Sequence, residues 1–574
     1  MKTKYKYILL ILLTFALSIF IYYYIEASKE VKTKEDILVS QNNKENEIIS
    51  NTAYTIDNPN VILNPYGNAP LSALIIFKTS DLTPVTITIK GKDGEKNFTQ
   101  TFNPARTHVL PIYGLYENYN NTIDIKAGDD TKTVNIKTDS LPKSLKNSET
   151  KNNIDTDDLF FTTSNGGYPV AYDTYGNIRW YLNKNYHYDL TRLANGHLII
   201  STDNLVSTKD YTTGLYEIDM LGKIYYEYNL EGGYYGNVFE LANGNLLVST
   251  NNFEGGTLED YLVELDRTTG EIIKKFDIYN LVPAGDETNW FSLNSFVYDS
   301  KTNSITLIGS KKDYIINIDY TSGEMNYIIG KNIPKKYTKY ALKTDDNVYP
   351  IKPESLVLLD NGNIAFLSEN KLIEYSINLD NHTFSLVQNT DIEDNIKNSS
   401  LSYSASQDFI LSTENKIKII KDGKTKEVMN TQKDIDTVKL YPLYDTDIYS
   451  TEKGERLGSL GETETVKNNT VLFAKSENIM KKYNISIYKD ASRLALTGTF
   501  KKGDDVKIIL DNVFDKKTYD VKISSSAYVK DDTHKKNDKI KTTTYINNTN
   551  ISGKYYIYLK INDTVYKLYK SVTF

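Results

Sequence analysis

Leu193-Ala194-Asn195-Gly196-His197-Leu198-Ile199-Ile200-Ser201 returns as Leu241-Ala242-Asn243-Gly244-Asn245-Leu246-Leu247-Val248-Ser249, and again as Leu359-Asp360-Asn361-Gly362-Asn363-Ile364-Ala365-Phe366-Leu367-Ser368. In each copy Asn-Gly supplies the positive φ angles of a tight hairpin. An apolar run without alternation follows, which fits a strand buried on both faces. Looser copies start at Asn303 and Asn469. A second hairpin follows most of these strands, as in Tyr216–Ile224, Val263–Ile272 and Ile316–Glu324, and Tyr172–Trp180 precedes them all. Several strands per unit, at a period of about 50–60 residues, describe a β-propeller. A string of sandwich domains is the competing all-β answer, but it would repeat nearer every ~100 residues. Six or seven candidate units fall between Leu159 and Phe500, and the first and last can combine to close a ring.

Outward from this core the chain divides further. Residues 56–141 alternate in period two: Thr86-Ile87-Thr88-Ile89-Lys90, then a Gly91–Gly94 turn, with Thr122–Lys126 and Thr133–Lys137 flanking Gly128-Asp129-Asp130. This reads as a small β-sandwich. The stretch from Leu141 to Asp157 is a linker, residues 158–500 are the propeller, and residues 501–574 carry further strands. The expected fold class is therefore all-β: a sandwich, a six-bladed (or seven-unit) propeller and a β-rich C-terminal segment.

At the N-terminus Lys2, Lys4 and Lys6 precede an apolar run from Ile8 to Ile25 within a segment spanning 1–27. The run approaches the length of a membrane-spanning helix, and basic residues ahead of it place the rest of the chain outside the cytoplasm. Tyr22-Tyr23-Tyr24 and Glu26 make a poor signal-peptidase site, so a retained single-pass anchor is favoured over a cleaved signal. Residues 28–55 read as a polar spacer that can be partly helical.

Composition narrows the function classes. The formal charge of −7 argues against a nucleic-acid partner. With no cysteine there is no thiolate metal site and no cysteine nucleophile. The sequence contains no P-loop, no G-x-S-x-G and no H-E-x-x-H, and nothing in it calls for a cofactor or metal. Asp155-Thr156-Asp157-Asp158 lacks EF-hand spacing and reads as a solvated acidic turn.

Two stretches carry a resemblance. Asn64-Pro65-Tyr66-Gly67-Asn68-Ala69-Pro70-Leu71-Ser72-Ala73-Leu74 and Leu110-Pro111-Ile112-Tyr113-Gly114-Leu115-Tyr116, with Asp173–Leu182 and the Asn-Gly strands in the same order, resemble the bacterial arylsulfate sulfotransferases. The resemblance covers roughly residues 56–500. It implies a six-bladed propeller with a sandwich attached. It also implies a histidine at the central mouth that takes a sulfuryl group from a phenolic sulfate ester and passes it to a phenol. Imidazole suits that step near neutral pH, and cationic donors must hold the sulfuryl oxygens.

Position by position, the imidazoles are missing. The paired-histidine segment of the family falls on Tyr235-Gly236-Asn237, and the histidine of its Trp-Phe-His-x-Asn-Ser segment falls on Ser292, with Asn294 retained. The arginine that binds sulfate falls on Lys311, which keeps the charge but loses the bidentate fork. The nucleophile position falls on Glu354, and the later Ser/Thr-Gln segment on Ser406-Gln407. A carboxylate attacking a sulfate ester meets like charge, so Glu354 reads as a pocket residue or a partner for Lys311.

The chain has five histidines. His108 lies in the N-terminal domain and His534 near the C-terminus, while His197 and His382 sit in turns and read as solvated. His187, between Tyr186 and Tyr188, either reaches the mouth or packs on tyrosines. The resulting expectation is a diverged, catalytically impaired family member binding a small aromatic or anionic ligand, with Tyr235, Asn237, Ser292, Asn294, Lys311, Glu354, Ser406 and His187 as candidate contacts. The alternatives are a working sulfotransferase with an unfamiliar arrangement around His187, Lys311 and Glu354, and a surface scaffold for another protein.

Overall fold

A computed structural model describes residues 6–7, 11–18, 29–50, 54–152, 154–164, 166–205, 211–251, 257–282, 290–396, 399–445, 449–458, 472–490, 493–501, 503–512, 516–521, 539–547 and 551–574. Two compact units emerge. One contains Leu38–Leu205 and Asp210–Gly458, and the other contains the remaining N-terminal residues and Ser459–Phe574.

Within the first unit, six blades of antiparallel strands are described. Blade 1 comprises Thr191–Arg192, Leu198–Ser201, Thr212–Ile218 and the first part of the long strand Ile224–Glu240. The second part of that strand opens blade 2, with Leu246–Thr250, Tyr261–Leu265 and Ile272–Asp277. Blade 3 spans Leu293–Gly330, blade 4 Glu354–Asp391 and blade 5 Ser400–Asn430. Blade 6 closes the ring. Its innermost strand Thr437–Tyr441 pairs antiparallel with Leu159–Thr163, which leads to Val170–Tyr172 and Ile178–Tyr181. The first and last repeat elements thus do combine.

The Asn-Gly repeats occupy the turn between the first and second strands of their blades. Gly196, Gly244 and Gly362 carry φ of 84°, 84° and 86° there. The strands that follow, Leu198–Ser201, Leu246–Thr250 and Ile364–Ser368, are buried at every residue, as an apolar run without alternation predicts.

The last strand of blade 6 ends at Tyr441, and Glu455–Leu457 then pairs in parallel with the blade 1 strand Ile224–Glu240, so the described propeller strands stop short of the expected 500. Of the loose repeat at Asn469–Ala474, residues 469–471 lie outside the described residues. Leu472–Ala474 form no strand, and Phe473 is exposed. Arg493–Lys501 belongs to the second unit, where it pairs with Ser486–Lys489 and Lys539–Asn547. There a four-stranded sheet and a five-stranded sheet enclose one core of Leu494, Leu496, Phe500, Ile508, Leu510 and Ile557, among others. Lys29–Glu30 and Lys32–Thr33 supply an edge strand to each of these sheets. The expected spacer therefore begins as β-structure.

Its remainder, Ile37–Ser50, is a helix. Leu38, Gln41, Glu45 and Ile48 recur at helical spacing and are all buried. Because this stripe includes Gln and Glu, it reads as polar in sequence. Gln41 bonds both the N–H and the carbonyl of Ile224, at 2.7 Å each, so its amide serves as a strand neighbour at the blade 1 edge. Glu45 meets buried Lys223 at 2.9 Å and accepts from the Tyr66 and Tyr449 hydroxyls.

The five strands of the N-terminal domain are linked through one long strand whose two halves pair with different neighbours. The strand Ala73–Ile89 pairs with Asn60–Leu63 in its first half and Asn120–Ala127 in its second, breaking register between Lys78 and Val85. Val85, Ile87, Ile89, Ile123 and Ile125 fill its core.

At the N-terminus the described parts of the apolar run are helical at Ile11–Ser18; residues 8–10 and 19–28 lie outside the described residues. No helix among the described residues is long and apolar enough to cross a membrane.

Candidate functional site

The innermost strands run in one direction around the axis, so the residues that open them gather at one end, the mouth. Polar side chains on these strands bond directly to the next blade. Asn294 Oδ1 accepts the Ser355 N–H at 2.8 Å, Ser355 Oγ the Leu401 N–H at 2.8 Å, and Ser400 Oγ the Val438 N–H at 2.9 Å. Lys439 Nζ reaches Asp189 Oδ2 at 2.5 Å and Thr191 Oγ1 at 3.2 Å, joining blade 6 to blade 1. Thr191 Oγ1 then reaches the Val238 carbonyl at 3.4 Å. Burial by itself would lower the Lys439 pKa, but Asp189 outweighs it and the ammonium is held above its ordinary range.

A second repeating device fixes the approach to the inner strands. The serine that ends the second strand accepts a backbone N–H from the incoming segment: Ser201 from His187, Ser249 from Asn237, Ser368 from Ile351 and Ser412 from Ser400. These are the closing serines of the Asn-Gly repeats and of Phe409–Thr413.

Between blades 1, 2 and 3 the mouth contains a tyrosine and carboxylate cluster. Glu259 accepts from the Tyr211 hydroxyl at 2.8 Å and from Ser292 Oγ at 2.9 Å. Its N–H donates to Asn251 Oδ1, and its carbonyl accepts the Leu293 N–H. Glu259 and Ser292 both adopt left-handed backbone conformations, φ 55° and 54°, of the kind that other structure must hold in place. Tyr235 stacks near Tyr211, with centroids 5.8 Å apart. Its hydroxyl is buried among Glu259, Asp260 and Tyr188, beside the Tyr261 backbone N–H, and finds no acceptor among the described residues. Burial, then these carboxylates, raise its pKa well above the phenol range, so Tyr235 is a proton donor and not a phenolate. The Trp290 indole N–H donates to Asp260 at 2.6 Å, yet burial still pushes that carboxyl up to about 6.

The structure brings Tyr235, Asn237, Ser292, Asn294, Glu354 and His187 to this end of the propeller, each preceding or opening an inner strand. Asn294 is occupied in the ring of interblade bonds, and Glu354, half-buried, begins the blade 4 strand beside Ser355. Lys311 is exposed in the turn after Ser304–Gly309, its N–H directed to the Phe291 carbonyl. The half-buried His187 ring lies 6.2 Å from that of Tyr188, which meets Tyr234 edge-on at 5.6 Å, so it both reaches the mouth and packs on tyrosine.

Ser406 departs from expectation. It lies in the hairpin after Ser400–Tyr403, at the opposite end of the blade, bonded to Ser404 and Asp408. The family pattern placed it by its order along the chain, and that order does not fix which end of the strand it occupies.

The other histidines divide similarly. His382 occupies an exposed turn, as expected. His108 is buried, with Nε2 3.0 Å from Thr79 Oγ1. His197 is not solvated: Nδ1 meets buried Glu217 at 2.6 Å, the ring stacks on Tyr225, and only 18% of the side chain is exposed. The hydrophobic strand that follows draws its turn against the neighbouring carboxylate. His534 lies outside the described residues.

Sequence reasoning missed Glu259, Tyr211, Asp189 and Lys439. Lys439 stands on an inner strand that no Asn-Gly turn follows. Glu259-Asp260 was legible only as an acidic pair ahead of the strand Tyr261–Leu265. No group of three or more His, Cys, Asp or Glu side chains among the described residues could hold a metal ion.

Comparison with known proteins points the same way as the N-terminal and repeat motifs. The arylsulfotransferase (ASST) family matches residues 145–406, and the arylsulfotransferase Ig-like domain matches residues 60–141. The arylsulfate sulfotransferase of Lelliottia amnigena is 29% identical over 79 residues, 13% of each chain. That of Escherichia coli O6:H1 is 34% identical over 71 residues, 12% of each. The matched segment is thus a small part of either curated relative. Among solved structures, a putative 6-phosphogluconolactonase from Bacteroides fragilis is similar at 11% identity and TM-score 0.32, over 63% of this chain and 99% of that one. The Cps50 (Swd1) β-propeller domain of Myceliophteria thermophila is similar at 14% identity and TM-score 0.30, over 51% and 86%.

Proposed function

This chain belongs to the arylsulfotransferase family, and from that premise we propose that it is a diverged member that holds a small aromatic ligand at the propeller mouth without passing a sulfuryl group through an imidazole. The observation that carries this reading is the contact of Ser292 with Glu259. Where the family pattern puts a histidine, a hydroxyl instead donates to a carboxylate. A sulfate ester approaching this cluster meets Glu259 and Asp260, whereas transfer needs cationic or N–H donors around the sulfuryl oxygens. Tyr235, held as a neutral phenol by burial, is no nucleophile at neutral pH. What the cluster does offer is the rings of Tyr188, Tyr211 and Tyr235 and a buried hydroxyl with no acceptor, which suits an aromatic molecule carrying one acceptor. We place the chain outside the cytoplasm with residues 8–25 as its anchor, on the strength of Lys2, Lys4 and Lys6 ahead of the apolar run.

The test is incubation of the protein with 4-nitrophenyl sulfate and phenol, reading release of 4-nitrophenol. The expected result is no release above buffer, with 4-nitrophenol binding that weakens in Tyr235→Phe. Turnover abolished by His187→Ala would overturn the proposal in favour of a working transferase built on that imidazole.

A further inference from the structure

A cavity of about 680 Å3 lies at the end of the propeller opposite the mouth, between blades 5 and 6 and under the linker that enters Leu159–Thr163. Its volume falls within the about 300–1,000 Å3 of pockets that bury small ligands. Ile154, Ile410, Ile419 and Leu440 make an apolar floor. The two walls are charged with opposite sign. Lys424 and Lys426 project from alternate positions of the outer blade 5 strand Lys424–Asn430, and Asp158 faces them from the linker.

Much of the remaining charge is matched locally. Lys421 pairs with Asp408 at 3.1 Å, and Asp155 with Lys96 at 2.7 Å. Asp158 and Lys424 are different. Among the described residues neither side chain makes a hydrogen bond or an ion pair within 4.0 Å, with each other or with another group, although both line the same space. Asp158 is half-buried; burial, then Asp157, raise its pKa, and the charge of Arg192, beyond ion-pair distance, offsets them only in part. A half-buried carboxylate without a donor is costly unless something supplies one.

We propose that this cavity binds a zwitterion with an apolar body: an apolar amino acid or short peptide. Its ammonium would meet Asp158, its carboxylate Lys424, and its side chain the isoleucine and leucine floor. A simple anion would leave the half-buried Asp158 without a donor, and a simple cation would make no use of Lys424, whose exposed ammonium is free to turn toward a carboxylate. Ser406, the residue displaced from the mouth, stands on the rim. This inference does not depend on what the mouth binds.

The experiment uses the whole protein and three probes in calorimetric titration: Leu-Leu, N-acetyl-Leu-Leu and Leu-Leu amide. Leu-Leu should bind, and each blocked form should bind about tenfold more weakly, the loss of one charge-assisted contact. Asp158→Asn should weaken Leu-Leu about tenfold while leaving N-acetyl-Leu-Leu unchanged, and Lys424→Gln should act in the same way against the amide. An unchanged circular dichroism spectrum and melting temperature keep a folding defect distinct from a lost contact. Absence of Leu-Leu binding at millimolar concentration, equal binding of all three probes, or unaltered binding in Asp158→Asn would each overturn the proposal.

Discussion

Glu217 shows how one residue can carry the electrostatics of a blade junction. It is 1% exposed, and it accepts from Arg267 at 2.6 and 2.9 Å, from the Tyr228 hydroxyl at 2.8 Å and from His197 at 2.6 Å. Burial would raise its pKa, but the His197 and Arg267 bonds prevail and hold it at about 2. Asp260 at the mouth is the opposite case, pushed up to about 6 by burial. The signs follow from which state holds the proton. Glu217 ionises more readily folded than unfolded, so its contribution is full above its ordinary pKa of 4.5 and is lost as pH falls toward 2. Asp260 keeps its proton longer when folded, so stability declines as pH rises from 3.8 to 6 and stays lower beyond. Each amounts to roughly 3 kcal/mol at ~1.4 kcal/mol per pKa unit. Both tryptophans, Trp180 and Trp290, lie in the propeller unit, so indole fluorescence in urea reports it alone. The urea midpoint should peak near pH 4–5, Glu217→Gln should flatten the acid limb, and Asp260→Asn should flatten the decline between pH 4 and 6. A wild-type midpoint that rises steadily from pH 4 to 7 would contradict the Asp260 assignment.

At the scale of elements, residues 28–55 read as partly helical, but the buried face of the helix Ile37–Ser50 was not legible, for a physical reason. Hydrophobic periodicity finds a buried helix face only when that face is apolar, and here Gln41 and Glu45 alternate with Leu38 and Ile48. The blade strands were legible because Asn-Gly followed by four or five apolar residues has few other solutions. The buried Glu45–Lys223 pair, at 1% and 0% side-chain exposure, sets up a contrast between breaking an ion pair and replacing it. Removing one partner leaves a charge in a site built to exclude water and costs about 3–5 kcal/mol, whereas exchanging both for apolar residues of similar size is near neutral. Glu45→Leu should therefore lower the propeller's unfolding free energy by several kcal/mol, with Lys223 left to the Ser450 carbonyl and the more distant Asp219. Glu45→Leu with Lys223→Met should restore most of it. Equal loss in the single and double variants would show that the Tyr66 and Tyr449 hydroxyls, which also bond Glu45, dominate this contact.

At the scale of the whole molecule, the repeat period revealed the propeller and its closure by first and last elements, while the C-terminal limit could not be read from period alone. Thr437-Val438-Lys439-Leu440-Tyr441 alternates instead of running apolar, because as an innermost strand it faces the polar axis on one side. The family resemblance singled out positions such as Ser292 ahead of the inner strands, but Glu259 and Tyr211 join Ser292 from segments that lead into other strands, distant in sequence, which no local motif encodes. The limits drawn by strand pairing lead to a test. Every described strand of residues 38–458 finds its partners inside that range. Lys539–Asn547, by contrast, pairs along its whole length with Arg493–Lys501, which itself needs Ser486–Lys489. A fragment beginning at residue 501, the limit suggested by sequence, loses one of its two sheets and exposes the core face of Ile508, Leu510, Ile557 and Leu559. A lone sheet with one bare apolar face does not supply the burial that offsets chain entropy. Residues 38–458 expressed alone should therefore unfold cooperatively in urea, followed by tryptophan fluorescence. Residues 501–574 alone should show a disordered circular dichroism spectrum or aggregate. A cooperative transition in the 501–574 fragment would mean that the four strands of the larger sheet that it retains are self-sufficient and that the boundary read from the sequence is the physical one.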